Sequence, residues 1–432
     1  MAKKLGNRRQ ALRRVAYTLR RSPGLARLAT VRFASQFGDG MFQTALGGAI
    51  LFNPERQTDP LAIAAGFTVL LLPYSVIGPY AGALLDRWDR RSVLLWANVL
   101  RGLLILVTAI LLGTGVGESA LLILALATVG VSRFVLAGAS ASLPHVVHRS
   151  WLVATNSVLA TTGSVVASLG AATSVAIIGV LGSDNRGTGI AAAASAFGSV
   201  VGAIAASRFH RRLLGPHAEE KPESGAIRAV AAGLRTGAVA VWHSPGVTTA
   251  MIGIGMHRIV FGIDTLIMVL VLRDTTALSA LPGGLVGFGV AVGATAAGML
   301  LAAITTPFVV PRIGRSRTII GGLVLAVVVQ STLVAALTEL ALLGGAFLLG
   351  FAGQSIKLTG DAAMQIEIED DRRGQVFALQ DTVFNAAFVA SIAAAAVVVA
   401  PDGRSLGLVL TGSAFYGLGL VAVLLNSRRE TV

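Results

Sequence analysis

Four charged residues stand inside long apolar runs: Asp39, Arg133, Asp264 and Lys357. An ionised side chain within a membrane-depth helix costs roughly 2.5–3.5 kcal/mol on insertion scales. Such residues therefore face the protein interior, pair with one another and mark ion or substrate paths. Asp39 and Arg133 each lie about eight residues from the inner end of their run, roughly 12 Å at 1.5 Å per residue. Equal depth predicts two ion pairs, Asp39 with Arg133 and Asp264 with Lys357. A proton arriving on either acid would break its pair, and which acid carries it stays open. Each pair could instead only offset its own desolvation and lock helix packing. Other partners are open: Arg32, Arg101 and Arg258 are embedded or near the inner boundary, and Lys357 could instead meet Asp361 one turn on. His257 lies two turns from Asp264, where it could join a proton relay or serve as a packed structural side chain.

A second constellation is the run Gly82-Ala83-Leu84-Leu85-Asp86-Arg87-Trp88-Asp89-Arg90-Arg91. The chain must turn there within a few residues, since apolar runs begin and end on either side. Gly82 would let a neighbouring helix approach. Asp86 would be stabilised by the positive end of another helix, with the start of the run near Gly374 and Gln375 as the candidate. Arg87, Arg90 and Arg91 would pair with Glu367, Glu369, Asp370 or Asp371 and close the inner face. The alternative is that these arginines act only as topology signals.

Other chemistries are excluded. The chain has no cysteine, so thiol chemistry and Cys metal sites are absent. Of six histidines, His145, His148, His210, His217 and His243 lie in polar segments, and His145 and His148 have no acid beside them, so no metal site is expected. Gly283, Gly284, Gly287, Gly289 and Gly293 do not form a nucleotide loop, because no strand precedes them and no acid follows. Close helix packing is their expected use. There is no Walker lysine motif, and no His-Glu or Ser-His cluster at workable spacing. No enzyme activity and no cofactor are expected.

The elements that must position these residues are membrane helices. Of 432 residues, 54% are hydrophobic and 13% charged, about half the charge of a soluble domain. The bilayer must solvate most of this surface. Apolar runs fall at about 31–52, 61–85, 92–112, 119–141, 155–181 and 188–207, then at 246–272, 282–308, 318–338, 341–360, 375–400 and 404–426. Helix is the only open-chain structure at that depth. The first run is too long for a signal peptide and is expected to be a retained span. Most basic residues fall on alternate polar segments, whereas the others carry only Arg56, Arg186, Arg273 and Arg404. The positive-inside rule then places both termini in the cytoplasm and the chain in the cell membrane, the inner one where there are two. The net charge of +14 follows from this topology rather than from a nucleic-acid partner. The basic tail, residues 1–30, would meet anionic headgroups of the bilayer. Residues 208–245 form a cytoplasmic linker in which Ile227, Val230, Leu234, Val241 and Trp242 share one side at helical spacing. That suits an interfacial helix, with a loose loop as the alternative.

The halves repeat. At an offset of about 225 residues, Asp39 answers to Asp264, Arg87 and Arg90 to Arg312 and Arg315, and Arg133 nearly to Lys357. With that map in place, the 82–91 run resembles the signature loop of the major facilitator superfamily, and Pro311-Arg312-Ile313-Gly314-Arg315 resembles a degenerate second copy. Gly38-Asp39 and the Asp371-to-Val376 junction resemble the drug-efflux group that contains macrolide and enterobactin exporters. Antiporters of this superfamily often carry a Gly-Pro pair in span 5, where this chain has Gly163 and Leu169-Gly170-Ala171-Ala172 without Pro.

The resemblance implies an all-α membrane protein of twelve transmembrane helices. These would form two pseudo-symmetric six-helix halves, residues 31–207 and 246–426, around a central cavity, with a tail at 427–432. It implies a monomeric, proton-coupled exporter of an amphiphilic or drug-like small molecule. Uptake or facilitated transport of a nutrient or lipid is the runner-up, and a membrane scaffold the remaining alternative.

Overall fold

The structure, a computed structural model, describes residues 23–51, 60–85, 88–115, 118–148, 152–215, 226–273 and 284–427. Among them lie thirteen α-helices: α1 Pro23–Leu51, α2 Pro60–Leu85, α3 Arg90–Gly113, α4 Glu118–Ala141, α5 Leu152–Leu181, α6 Asn185–Ser207, α7 Ala226–His243, α8 Pro245–Arg273, α9 Gly284–Ile313, α10 Arg315–Thr332, α11 Glu339–Glu367, α12 Asp370–Val398 and α13 Leu406–Ser427. Ten of these are long and apolar enough to cross a membrane: α3–α6 and α8–α13. The protein is an all-helical, multi-pass membrane protein.

Local chemistry sets the helix ends. Pro23, Pro60 and Pro245 open α1, α2 and α8, where a missing N–H costs nothing and the fixed φ suits a first turn. Asp89 caps α3 by accepting the Ser92 N–H at 3.3 Å, and Asp184 caps α6 by accepting the Gly187 N–H at 2.8 Å. A single residue, Gly314, separates α9 from α10. Its φ of 89° lies in the left-handed region that glycine enters without steric cost.

The contacts group the chain into two units, residues 1–56 with 76–230 and residues 57–75 with 231–432. In the first, α1 packs on α4, α5 and α6, and α3 packs on α4 and α6. In the second, α8 packs on α11, α12 and α13, and α10 packs on α11 and α13. These pairings match by position, whereas, among the described residues, the packing of α9 on α11 in the second unit has no comparable α2–α4 equivalent in the first.

Glycine makes the closest crossings possible. A Cβ on Gly40 would strike the Ala167 carbonyl oxygen, and one on Gly170 the Phe37 carbonyl oxygen, so α1 and α5 meet backbone to backbone. Gly298 of α9 does the same against Phe347 of α11. The glycines at the start of α9 differ from expectation. Among the described residues, a Cβ on Gly289 or Gly293 would meet nothing within 4 Å. Both positions are exposed because they lie on the face of α9 turned away from its neighbours, so close packing is not their use.

The linker contains a helix, α7. Ala240 and Val241 pack on Val247, Met364, Ile368, Val376 and Phe377, and Gly237 approaches the Gln375 carbonyl. Val239 and Trp242 remain exposed.

Candidate functional site

The first unit holds a buried charge network. Arg101 on α3 is fully buried, and its Nη1 donates to Asp39 Oδ1 on α1 at 3.2 Å. Ser132 on α4 donates to the same oxygen at 2.6 Å. Arg101 Nε donates to Ser199 Oγ on α6 at 2.8 Å, and Nη1 also reaches the Ser35 carbonyl at 3.5 Å. Four helices thus converge on one ion pair. Gly38 and Gly198 bring α1 and α6 close enough for this, since a Cβ on Gly38 would lie 2.8 Å from the Ser195 carbonyl.

The expected pair of Asp39 with Arg133 is therefore corrected. Depth was right and rotation was wrong: successive helical residues point about 100° apart, and Ser132, not Arg133, turns toward Asp39. The partner is Arg101, one of the three alternative embedded bases, which a depth comparison of repeat-related residues ranks behind Arg133. Its signal was present, since Asn98 and Arg101 are polar positions one turn apart in an apolar run.

The second unit differs. Asp264 on α8 accepts a hydrogen bond from Gln330 Nε2 on α10 at 2.8 Å. Among the described residues no ion pair involves Asp264, and its buried Oδ2 has no hydrogen-bond partner. His257 Nδ1 and the Tyr416 hydroxyl share a 2.8 Å hydrogen bond. The His257 ring fits because residue 353 is glycine, where any Cβ would enter the imidazole. Two polar pairs on α8 thus reach out, Asp264 to Gln330 of α10 and His257 to Tyr416 of α13.

The expected pair of Asp264 with Lys357 is also corrected. Lys357 Nζ donates to Asp361 Oδ2 at 2.6 Å within α11, because an acid one turn away on the same helix face is already in reach. Gln380 Nε2 donates to Asp361 Oδ1 at 3.4 Å. A second polar cluster therefore links α11 and α12.

The 82–91 run is described in part. Asp86 and Arg87 lie outside the described residues, and Gly82 lies on α2. Arg90 is buried at the start of α3, where it donates to the carbonyls of Leu85 at 3.2 Å, Ala141 at 3.1 Å and Leu214 at 3.4 Å. Arg91 donates to the carbonyls of Phe209 at 3.3 Å and Ser207 at 3.1 Å. Both arginines thus bind the ends of neighbouring helices, where carbonyls lack helical partners. Of the four acids expected to pair with them, Glu367 pairs with Arg315 at 2.9 Å and Glu369 with Arg372 at 3.7 Å, and the side chains of Asp370 and Asp371 lie outside the described ones. Arg315 opens α10 as Arg90 opens α3.

No family model matches the chain. It is 42% identical over 413 residues to an uncharacterized MFS-type transporter of Mycobacterium tuberculosis, covering 95% of this chain and 93% of that one, with the same figures for one of Mycobacterium bovis. Among solved structures it resembles a peptide transporter of the POT type in complex with alafosfalin, at 17% identity and TM-score 0.67, covering 94% of this chain and 95% of that one. It also resembles the nucleoside transporter NupG, at 12% identity and TM-score 0.65, covering 93% of this chain and 99% of that one.

Proposed function

This chain belongs to the major facilitator superfamily of membrane transporters, and from that premise we propose that it is a secondary active transporter exporting an amphiphilic, drug-like small molecule against a proton flux. Asp264 carries the proton. The observation behind this is the contrast between the two embedded acids. Protonating Asp39 would break the Arg101 ion pair and leave a buried guanidinium uncompensated. Protonating Asp264 breaks no ion pair, and Oδ2 is buried without a donor. His257 and Tyr416 supply a relay beside it.

Twelve spans accompany this reading, α1–α6 in residues 31–207 and α8–α13 in residues 246–426. The matching helix pairings of the two units support two six-helix halves. Both termini and the 208–245 linker face the cytoplasm, as the distribution of basic residues requires. Export, rather than uptake of a nutrient or lipid, rests on the resemblance of Gly38-Asp39 and the 371–376 junction to drug-efflux transporters.

The test uses purified protein in liposomes with an imposed pH gradient and a panel of lipophilic dyes. Wild type moves a dye against the proton gradient. Asp264→Asn abolishes gradient-driven accumulation yet keeps dye exchange at zero gradient. Full gradient-dependent transport by Asp264→Asn would remove the proposal, and net flux in the direction of the protons would reverse export to uptake.

A further inference from the structure

On the first unit, a cleft of about 400 Å³ lies between α3 and α4, lined by Trp88, Val93, Trp96, Leu100, Val131 and Phe134, with Asp89 and Ser92 at its mouth. The volume is within the range of small-ligand clefts, about 300–1,000 Å³. Trp88 is 51% and Trp96 66% exposed. The Trp88 ring tilts against Phe134, with centroids 6.1 Å apart. From Arg90 to Leu100 the helix rises about 15 Å, the depth of one leaflet of a roughly 30 Å hydrocarbon core. On the proposed topology the cleft begins at the cytoplasmic interface, where tryptophan is favoured, and runs toward the bilayer midplane.

Its mouth is basic. The turn after α6 carries Arg208, His210, Arg211 and Arg212, all exposed. Two sets of bonds hold this turn against the start of α3. Arg91 donates to Ser207 and Phe209 carbonyls, and the Arg212 N–H donates to Asp89 Oδ1 at 3.2 Å. Arg212 adopts φ 62°, a left-handed conformation uncommon for a non-glycine residue, and it does so while reaching Asp89. Asp89 is the acid at the mouth, and its other oxygen accepts the Ser92 hydroxyl at 2.6 Å and the Ser92 N–H at 3.3 Å. Among the described residues the guanidinium groups of Arg208, Arg211 and Arg212 are in no ion pair.

We propose that this cleft binds an anionic phospholipid of the cytoplasmic leaflet, with one acyl chain between Trp88 and Trp96 and the headgroup phosphate against Arg211 and Arg212. Charge complementarity selects this occupant: apolar walls fit any lipid tail, and a cluster of exposed guanidiniums that are in no ion pair among the described residues favours an anionic headgroup.

The experiment is native mass spectrometry of the purified full chain. Phosphatidylglycerol and phosphatidylcholine of identical acyl chains are titrated, with inorganic phosphate alone as the headgroup control. Wild type retains a single phosphatidylglycerol in preference to phosphatidylcholine and does not retain phosphate. Arg211→Gln with Arg212→Gln weakens phosphatidylglycerol about 30-fold, from roughly one surface-charge contribution per arginine, and leaves phosphatidylcholine unchanged. Trp96→Ala weakens both lipids. Melting temperatures in lipid-free detergent confirm that the variants remain folded. Equal retention of the two lipids by wild type, an undiminished preference in the double arginine variant, or full binding by Trp96→Ala would each overturn the site.

Discussion

Arg101 donates to Asp39, to Ser199 and to the Ser35 carbonyl from a fully buried position. Breaking a buried pair by removing one partner costs about 3–5 kcal/mol, whereas replacing both partners is far milder. Arg101→Met and Asp39→Asn should therefore each lower the melting temperature markedly, and the double variant should recover much of the loss. Additive losses in a thermal-shift cycle would show that the pair is not the stabilising contact. Asp39 and Asp264 were legible in the sequence because a carboxylate in an apolar run is conspicuous. Their partners were legible only as alternatives: Arg101 stood beside Arg32 and Arg258, and Asp361 beside Asp264 as an acid for Lys357. Depth along a helix can be counted from residue numbers, but facing depends on how neighbouring helices pack. Ser132 rather than Arg133 meets Asp39 for that reason. Gln330, a neutral residue in α10, gives no charge signal at all, and Lys357 found its acid locally at Asp361.

At the scale of elements, the helices coincide with the apolar runs because length and hydropathy suffice to place them. What composition could not say is which glycines matter. Gly170 lies against the Phe37 carbonyl and Gly293 faces open space, yet both stand in small-residue stretches of apolar helices. Gly170→Ala should force α1 and α5 apart and cost about 1–3 kcal/mol, the usual range for overpacking. Gly293→Ala should be neutral or stabilising by up to about 1 kcal/mol, since alanine is the better helix former. Melting temperatures of the two variants decide this, and equal effects would contradict the packing. The α7 helix was expected from helical spacing, but its apolar residues divide. Ala240 and Val241 pack on the ends of α11 and α12, while Trp242 stays exposed.

For the molecule as a whole, the absence of cysteine makes orientation directly measurable. Single cysteines at Arg186 or Arg404 should react with an impermeant thiol reagent added outside intact cells, and those at His210 or Arg317 should not. Reversed labelling would invert the topology. The Asp39–Arg101 pair also bears on how the protein is made. The partners are 62 residues apart, and translation at 5–20 residues per second separates their emergence by about 3–12 s. On the twelve-span proposal, α1 enters the bilayer during that interval with its carboxylate's cation still on the ribosome. Among the described residues α1 is not one of the ten helices long and apolar enough to cross a membrane. On that reading its integration depends on α3, and Arg101→Met should lower the yield of inserted protein in a pulse-chase measurement before any folded molecule exists to be melted.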